Sequence, residues 1–310
     1  MIREISKRFL PPQTPEDMQK IRDALKKEGI DLQNIYQELE MSYPLAETHR
    51  DISYTNTTMS LHSHDFYEML YCRSSDRVEY LVGTERYRLQ PGDIVIVAPG
   101  ASHRPLLPED MDKPYTRDIV WFSREFIRTL IQTLPETKQS WPRTEGVFLR
   151  TKGTRWEFLN EMFHNGVKES ERRRPEFEVI VLGNTISILA QVSRALQEGG
   201  GSGMEAEKPE LLDRVMAYIE EHLGERITLE ETAHHFYVSV STITQLFRQK
   251  MGTSFYRFVT QRRLIAAKTR IGQGELLEDV SRAVGFADYS SFYRAFKKEY
   301  GITPRQYTQL

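Results

Sequence analysis

The spacing of hydrophobic residues changes twice along this chain of 310 residues. Residues 1–45, 123–198 and 210–310 place hydrophobic side chains every three to four positions, as amphipathic helices do. Between about Ile52 and Phe122 the period is two, and turn residues recur at short intervals, which is typical of a small antiparallel sandwich or barrel. The pattern therefore predicts an α+β protein in which a sheet region lies between two helical regions.

The alternating region contains five candidate strands. Gly83 with Thr84, and the Pro91–Gly92–Asp93 run, supply turns between three of them, because glycine and proline favour the backbone angles of tight turns. The predicted strands span residues 66–73, 77–82, 86–90, 94–98 and 116–122.

Helices are predicted before the sheet region. Thr14 followed by proline and two acids is the usual start of a helix, and this helix is expected to end at Gly29. A second, shorter helix is expected over residues 31–39. We expect this extension to pack on the sheet region.

Helices are also predicted after the sheet region. Ser123 is a candidate cap for one helix, and Trp156, Leu159 and Phe163 form the apolar stripe of another. Residues 177–196 predict one long helix with a wide apolar face, which needs two packing neighbours. One neighbour is either another part of this chain or the same helix in a second copy, and the spacing leaves both open.

A glycine-rich run, GGGSG, divides the chain at residues 199–203. Such a run behaves as a flexible coil, so the two halves are expected to be tethered rather than fused. The predicted organisation is a helical extension (1–45), a barrel (46–123), a helical packing or dimerisation segment (124–198), a flexible linker (199–209) and a C-terminal helical domain (210–310).

The last hundred residues contain an internal repeat. Leu229–Gly252 aligns with Leu277–Gly301 at an offset of 48 before an internal turn and 49 after it. Each copy predicts a short helix, a turn and a second helix, with Ser239 and Asp288 as the caps of the second helices. The repeat therefore predicts two helix-turn-helix motifs, joined by a helix over residues 254–271 whose Arg257, Arg262, Arg263 and Lys268 are expected at its surface.

Charge is distributed unevenly. The whole chain carries a formal net charge of −2, but residues 248–305 contain 12 basic and 5 acidic side chains. A phosphate backbone favours such a local excess of positive charge. The composition is that of a water-soluble globular protein, and Cys72, the one cysteine, excludes an intrachain disulfide. With no apolar leader and no run approaching a membrane span, we expect a cytoplasmic location without a membrane partner.

Histidines supply the candidate chemistry of the sheet region. His62, His64 and Glu68 stand at offsets of two and four, so on an extended chain their side chains point the same way, and His103 lies on a separate segment. This set either lines a ligand cavity or binds a metal ion. We interpret it as a ligand site without a resident cofactor, and we expect Cys72 to be a buried, inert thiol.

The run GFADYSSFYRAFKKEYGITPRQY, residues 285–307, closely resembles the C-terminal signature of the AraC/XylS family of bacterial transcription regulators. The resemblance covers about 100 residues. The histidine constellation with its PGD turn is similar to the cupin β-barrel. The resemblance thus implies a cupin-like antiparallel β-barrel with flanking helices, followed by an all-α domain with two helix-turn-helix motifs.

The resemblance also implies site residues. The DNA-binding candidates are Ser241, Thr244, Gln245 and Arg248 in the first copy, and Tyr289, Ser290, Tyr293, Arg294 and Lys297 in the second. The ligand-binding candidates are His62, His64, Tyr67, Glu68, His103 and Trp121.

The implied function is a ligand-responsive, sequence-specific transcription regulator, not an enzyme. Its expected partners are double-stranded promoter DNA, a small-molecule effector such as a sugar, RNA polymerase and a second copy of the chain. Two alternatives remain open at this point: a metal-dependent cupin enzyme fused to a DNA-binding domain, and a constitutive DNA-binding protein whose barrel only dimerises.

Overall fold

The computed structural model describes residues 41–53, 61–75, 77–108, 111–134, 145–199 and 210–308. The helices predicted within residues 1–40, and residues 200–209 of the predicted linker, lie outside these ranges. The strands are β1 (Ala46–Ser53), β2 (Phe66–Ser74), β3 (Glu79–Val82), β4 (Glu85–Arg88), β5 (Asp93–Val97), β6 (His103–Leu106), β7 (Tyr115–Ser123) and β8 (Gly146–Arg150). The helices are α1 (Arg124–Thr133), α2 (Leu159–Arg172), α3 (Phe177–Gln197), α4 (Leu211–Glu221), α5 (Leu229–His235), α6 (Val240–Met251), α7 (Phe255–Gly272), α8 (Leu277–Ala283), α9 (Tyr289–Tyr300) and α10 (Pro304–Tyr307).

The strands form two antiparallel sheets. One has five strands in the order β1-β7-β2-β5-β8, and the other has three in the order β4-β3-β6. An apolar core joins the facing sides of the two sheets, drawing on β2, β3, β5, β7 and β8. The predicted mixture of antiparallel sheet and helices is confirmed.

Alternation along β2 explains how one strand serves two cores. Phe66 and Leu70 contribute to the core between the sheets, whereas Met69 and Tyr71 belong to the core on the other face of the larger sheet. Both faces are buried because successive side chains of a strand point in opposite directions. The five predicted strands agree with observed strands to within two residues at each end.

Three strands escaped the sequence analysis. β1 is rich in polar residues and lies at an edge of the larger sheet, and β6 has four residues. β8 lies inside the segment 124–198, which the periodicity assigned to helices, and it pairs with β5 over the register from Asp93–Arg150 to Val97–Gly146. The segment 124–198, predicted as a helical packing or dimerisation segment, therefore also contains a five-residue strand that belongs to the sheet.

Helices α1, α2 and α3 bury their apolar faces against the larger sheet. Ser123 caps α1 as predicted, by accepting a hydrogen bond from the backbone N–H of Phe126. The predicted stripe is buried too, although Trp156 lies in the turn before α2 and only Leu159 and Phe163 are on the helix.

The long helix α3 corrects one expectation. Its 21 residues are long and apolar enough to cross a membrane by length and composition, contrary to the expectation that no run approaches this length. Val181, Ile188 and Val192 are nevertheless buried, and Ile188 and Val192 belong to the core beside the larger sheet. By itself the length of α3 is weak evidence for a membrane segment.

The region 210–308 is helical, as predicted. Its first half buries a core made by α4, α5, α6 and the start of α7, and its second half buries a core made by the end of α7 with α8, α9 and α10. The α5–α6 pair and the α8–α9 pair repeat each other at offsets of 48 for the first helices and 49 for the second. The extra residue of the second copy lies in the turn, where the sequence placed it.

Candidate functional site

Three histidines meet at one end of the space between the two sheets. His62, which forms an isolated bridge with His103, lies with its ring centroid 4.3 Å from that of His103, and the His64 and His103 centroids are 4.8 Å apart. One ligand nitrogen from each ring lies within 4.8 Å of the others, and all three residues are buried. The structure thus brings together the histidines that the sequence spacing selected.

Glu68 faces the histidines from β2. Its carboxylate lies 3.5 Å from His64 Nε2 and 3.9 Å from His103 Nε2, and it accepts hydrogen bonds from Tyr80 Oη at 3.2 Å and Trp121 Nε1 at 2.8 Å. Tyr80 was not predicted as a site residue. Its place could have been inferred from alternation in β3, since Tyr80 and Val82 share the face that meets the other sheet.

The buried surroundings shift two pKa values in this cluster. Burial and the neighbouring imidazoles hold the pKa of His103 well below its usual value, so the ring is neutral near pH 7. Burial opposes ionisation of Glu68, but the attraction of His64, and then of His103 and His62, outweighs it and holds the pKa of Glu68 well below its usual range. The cluster therefore presents an ionised carboxylate beside a neutral imidazole.

The structure separates Tyr67 from the other ligand candidates. Its ring stacks on Phe122 at a centroid distance of 5.1 Å and packs against the core that includes the helices. The physical reason is alternation: Glu68 points between the sheets, so the adjacent Tyr67 must point to the opposite face. Cys72 lies in the core between the sheets, and burial raises the pKa of its thiol to about 12, as expected for an inert cysteine.

Helix α6 presents one polar face to solvent. Ser241, Thr244, Gln245 and Arg248 are all exposed, and their spacing of three, four and seven residues puts them on one side of the helix. Ile243 and Phe247 are buried on the other side. This side of α6, with Val240 and Gln249, lines an open groove on the surface.

Helix α9 carries polar residues at the four positions equivalent to those of α6. Adding the offset of 49 places Ser290, Tyr293, Arg294 and Lys297 over the four polar residues of α6, and Phe292 and Phe296 are buried behind them. Ser290, Arg294 and Lys297 are exposed and Tyr293 is half-buried. Tyr289 corresponds to Val240 and packs partly against the core of this half, so it lies at the margin of the surface.

Both helices begin and end in the same way. Ser239 and Asp288 accept hydrogen bonds from the backbone N–H groups of Thr242 and Ser291, which confirms the two predicted caps. Gly252 and Gly301 end the helices with positive φ angles of 60° and 74°. The two exposed faces are thus held by equivalent local structures.

Ion pairs within this region leave the positive charge on α6 and α9. Arg257 pairs with Glu299, and Arg262, expected at the surface, is instead buried and pairs with Glu220. Among the described residues, the side chains of α6 and α9 with no ion-pair partner include Arg248, Lys250, Arg294, Lys297 and Lys298. The charged side chains of α7 form ion pairs that stabilise the domain, whereas the five cations of α6 and α9 face solvent.

Comparison with known proteins gives matches to the C-terminal helical region and to most of the chain. Residues 232–309 match a family model described as a helix-turn-helix domain. Regulatory protein PocR of Salmonella typhimurium is 28% identical over 99 residues, which is 32% of this chain and 33% of that protein. The HTH-type transcriptional activator RhaR of Yersinia pestis bv. Antiqua is 24% identical over 282 residues, 87% of this chain and 91% of that protein.

Among solved structures, ToxT from Vibrio cholerae with a bound unsaturated fatty acid matches 87% of this chain and 97% of that chain, at 10% identity and a TM-score of 0.37. The family model identifies the domain at the C-terminal end of the described residues. Residues 232–309 are an AraC-type helix-turn-helix domain. The match covers this domain rather than the whole chain, and we call the helical region that carries it, residues 210–308, the AraC-type domain below.

The AraC-type domain contacts the smaller sheet through two buried arginines. Arg86 of β4 forms ion pairs with Asp213 at 3.1 Å and Glu210 at 3.1 Å at the start of α4. Arg104 of β6 donates a hydrogen bond from Nη1 to the carbonyl oxygen of Met251, the last residue of α6, at 2.8 Å. Carbonyl groups at a helix C-terminus carry partial negative charge, which favours a cation there.

Leucine side chains complete this interface. Leu61, Leu81 and Leu106 lie in the same buried cluster as the core of the first half of the AraC-type domain. These leucines and both arginines were not predicted as interface residues from the sequence. Alternation indicates that Leu81 points away from Tyr80, but no spacing rule identifies a partner such as Asp213, which lies 127 residues from Arg86.

Proposed function

We propose that this protein is a sequence-specific, DNA-binding transcription regulator whose DNA affinity responds to a small molecule. The observation that carries the proposal is the equivalence of the two exposed faces on α6 and α9, with the cations left free on them among the described residues. A helix that offers short polar, amide and guanidinium groups opposite an apolar seam suits the major groove, where arginine pairs with guanine and glutamine with adenine.

In this proposal the α5–α6 and α8–α9 pairs are two helix-turn-helix motifs, with α6 and α9 as reading helices. Helix α7 joins them with 18 residues, about 27 Å at 1.5 Å per residue. A rigid connection of this length favours binding of two major-groove segments about one helical turn, on the order of 34 Å, apart. Arg248 and Lys297 extend the two faces towards the phosphate backbone.

The proposed sensory part is the cupin-like pair of sheets between residues 46 and 150, which includes β8 and so extends past the boundary expected at residue 123. The proposed effector is a polar small molecule such as a sugar. Support comes from the polar cluster at one end of an otherwise apolar core, where Glu68, Trp121 and Tyr80 offer hydrogen-bonding groups.

Coupling between the two parts follows from alternation in β6. His103 points into the cluster, and the next residue, Arg104, holds the C-terminal carbonyl of α6. Likewise, Leu61 packs on the AraC-type domain and His62 points into the cluster. A ligand that shifts either segment must also shift the contact with a reading helix, and it changes DNA affinity by its difference in affinity for the two arrangements.

We also propose that the protein acts as a homodimer in the cytoplasm and contacts RNA polymerase. The support for dimerisation is the exposed apolar face of α3, where Val179, Ile180 and Ile186 are 63%, 49% and 37% exposed.

Sedimentation analysis of a variant with Val179→Glu and Ile186→Glu tests the proposed dimer. A shift to monomer is expected, and the matched variant Leu276→Glu, which alters a hydrophobic residue 73% exposed elsewhere, should sediment as the wild type.

The experiment that tests the function is selection of bound duplexes from a random DNA library with the full chain. We expect a recurring site in which two short conserved segments lie about ten base pairs apart, one for each reading helix. Repeating the selection with candidate sugars should change the affinity for that site. Binding that depends on salt but selects no sequence contradicts the proposal, and selection unaffected by any small molecule supports the constitutive alternative.

A further inference from the structure

The two halves of the AraC-type domain contact each other directly, beside the helix that joins them. We call residues 211–251, from α4 to α6, the first unit, and residues 277–307, from α8 to α10, the second unit. A Cβ at Gly224, just after α4, would lie 2.9 Å from the carbonyl oxygen of Ala283 at the end of α8. A Cβ at Gly285 would overlap with the carbonyl oxygen of Leu223. The two glycines therefore allow the backbone of one unit to approach the backbone of the other.

Arg263 of α7 occupies this junction. Its Nε donates a hydrogen bond to the carbonyl oxygen of Leu223 at 3.1 Å, and its Nη2 donates one to the carbonyl oxygen of Glu225 at 2.6 Å. Its guanidinium also lies over the ring of Phe286, with Cζ 6.0 Å from the ring centroid, a distance at which a cation is attracted to an aromatic face. One side chain thus binds the backbone of the first unit and a ring of the second.

Other side chains of α7 connect the units in the opposite direction. Arg257 and Gln261 lie on the part of α7 whose Phe258 and Val259 belong to the core of the first unit. Both contact Glu299 of α9, Arg257 through an ion pair at 2.7 Å and Gln261 through a hydrogen bond at 3.1 Å. Glu299 is buried, and a buried carboxylate needs such partners. The reading helix α9 is therefore attached to the part of α7 that packs on the first unit.

A guanidinium suits the junction for a geometric reason. Its donors form a rigid planar fork, so hydrogen bonds to two carbonyl oxygens fix its position, and its flat face stacks on a ring. The ammonium group of a lysine has neither the fork nor the plane. With α7 as the one connection, a small change in the curvature of this helix of 18 residues would move α6 relative to α9. Contacts between the units resist such a movement.

We propose that Arg263 is a positioning residue that keeps the two units in one fixed arrangement and thereby sets the operator spacing that α6 and α9 accept. The inference rests on the proposed function, because both helices must bind DNA. One added base pair moves the second segment of a site by about 3.4 Å and rotates it by about 34°. A rigid pair of helices then loses base contacts, whereas a pair that moves freely adapts to either spacing.

Operators of altered spacing test this role. The site that the wild type selects is remade with one base pair added or removed between its two segments, and affinities are measured by fluorescence anisotropy. The wild type should lose at least about tenfold in affinity, because one reading helix no longer meets its bases. Arg263→Ala should bind the selected site more weakly but lose only about threefold or less when the spacing changes, because its units are no longer preorganised. A purely structural role would lower every affinity and leave this ratio unchanged.

Two further variants complete the comparison. Arg263→Lys keeps the charge but loses the fork, and it should give an intermediate ratio. Arg270→Ala is the matched control, since it removes a partly exposed arginine of the same helix whose partner, Glu275, lies five residues away. It should keep the wild-type ratio. Circular dichroism shows which variants fold, and if Arg263→Ala does not, Arg263→Lys decides the outcome.

A distance measurement without DNA separates this inference from the proposed function. Gln249→Cys and Lys298→Cys place spin labels at equivalent, exposed positions of α6 and α9, and Cys72 is buried, so the label reacts with the two introduced thiols. Double electron–electron resonance should give a narrow distribution of distances between the labels, and adding Arg263→Ala should broaden it.

The two measurements give distinguishable outcomes. Distance distributions that are equally narrow with and without Arg263, or equal spacing ratios in a wild type that does select a site, overturn the role of Arg263. A wild type that selects no sequence, although Arg263→Ala broadens the distribution, contradicts the proposed function and not the effect of Arg263 on the arrangement of the units.

Discussion

At the scale of single residues, backbone angle and available space determine which residue the turn of each helix pair can hold. Gly285 in the turn of the second helix pair has a φ of 86°, and the equivalent position in the first pair is Tyr237, with a φ of 56° and a side chain 95% exposed. The first copy accepts a large residue in a left-handed conformation because its side chain points to solvent. The second copy has no such room.

Gly285→Ala is expected to destabilise the AraC-type domain. A Cβ at this position would lie 2.2 Å from the carbonyl oxygen of Leu223, whereas a Cβ at Gly252, also left-handed, meets nothing within 4 Å. We expect Gly252→Ala to cost about 1–2 kcal/mol of unfolding free energy from strain alone, and Gly285→Ala about 3 kcal/mol or more. Urea unfolding of both variants checks this, and equal losses would contradict the close approach.

Also at the scale of single residues, the side-chain placements predicted correctly are those that a local rule relates. His62, His64 and Glu68 were placed together from alternation, and they meet. Tyr67 was included with them although the same rule assigns it to the opposite face. Arg262 was expected on the surface because its charge was counted without its partner Glu220, which lies 42 residues away. Burial of a charge depends on such distant partners, and no local pattern reports them.

At the scale of elements, long periodic segments were predictable and short ones were not. The boundaries of α3 and the offset between the two helix pairs follow from spacing and caps. Strand β8, with the sequence GVFLR, shows no alternation that distinguishes it from a helix turn, and its pairing with β5 is a tertiary choice. The proximity of His62, His64 and Glu68 was also predictable from a period, in this case the two-residue alternation of an extended chain.

Helix α9 should carry more base recognition than α6. Ser290 and Ser241 are equivalent, but Arg294 and Tyr293 replace the shorter Gln245 and Thr244. We expect Arg294→Ala to weaken binding to the selected site by about 1–3 kcal/mol, with little effect on random DNA, if its guanidinium pairs with a guanine. Titration of both duplexes by fluorescence anisotropy measures the difference. Arg282→Ala removes an exposed arginine that pairs with Asp279 on α8, and it should change neither affinity.

Lys297 should contribute to DNA binding in a different way from Arg294. A lysine that contacts phosphate contributes equally on every sequence, so Lys297→Ala should weaken specific and nonspecific binding alike. The slope of log affinity against log salt should fall by about one unit. Anisotropy titrations at several salt concentrations measure this slope, and a loss confined to the selected site would instead assign Lys297 to a base.

At the scale of the whole molecule, the interface between the smaller sheet and the AraC-type domain would, in the function proposed above, connect ligand sensing to DNA binding. Burial of Arg86 opposes its charge, but hydrogen bonds to Asp213 and Glu79 outweigh this and raise the pKa of the guanidinium above its ordinary value. Arg86 also holds the start of α4, where Glu210 and Asp213 form a capping box. Loss of this one cation therefore affects both the interface and a helix terminus.

Arg86→Gln is expected to lower unfolding free energy by about 3 kcal/mol, because it leaves the largely buried Asp213 without its cation. The matched variant Arg88→Gln changes an arginine 61% exposed that lies 3.9 Å from Glu79, and it should cost less than about 1 kcal/mol. Denaturant unfolding compares the two. The double variant Arg86→Gln with Asp213→Asn should recover part of the loss, and failure to do so would remove Asp213 as the partner.

The contacts of Arg86 and Arg104 have a consequence for assembly. The sheets and the AraC-type domain belong to one chain, so their association is intramolecular, and each part meets the other at a higher effective concentration than separate fragments would. An interface too weak to hold two separate fragments together at micromolar concentration can therefore be sufficient within one chain. Cutting the chain between the sheets and the AraC-type domain would remove this advantage even if every contact of Arg86 and Arg104 were kept.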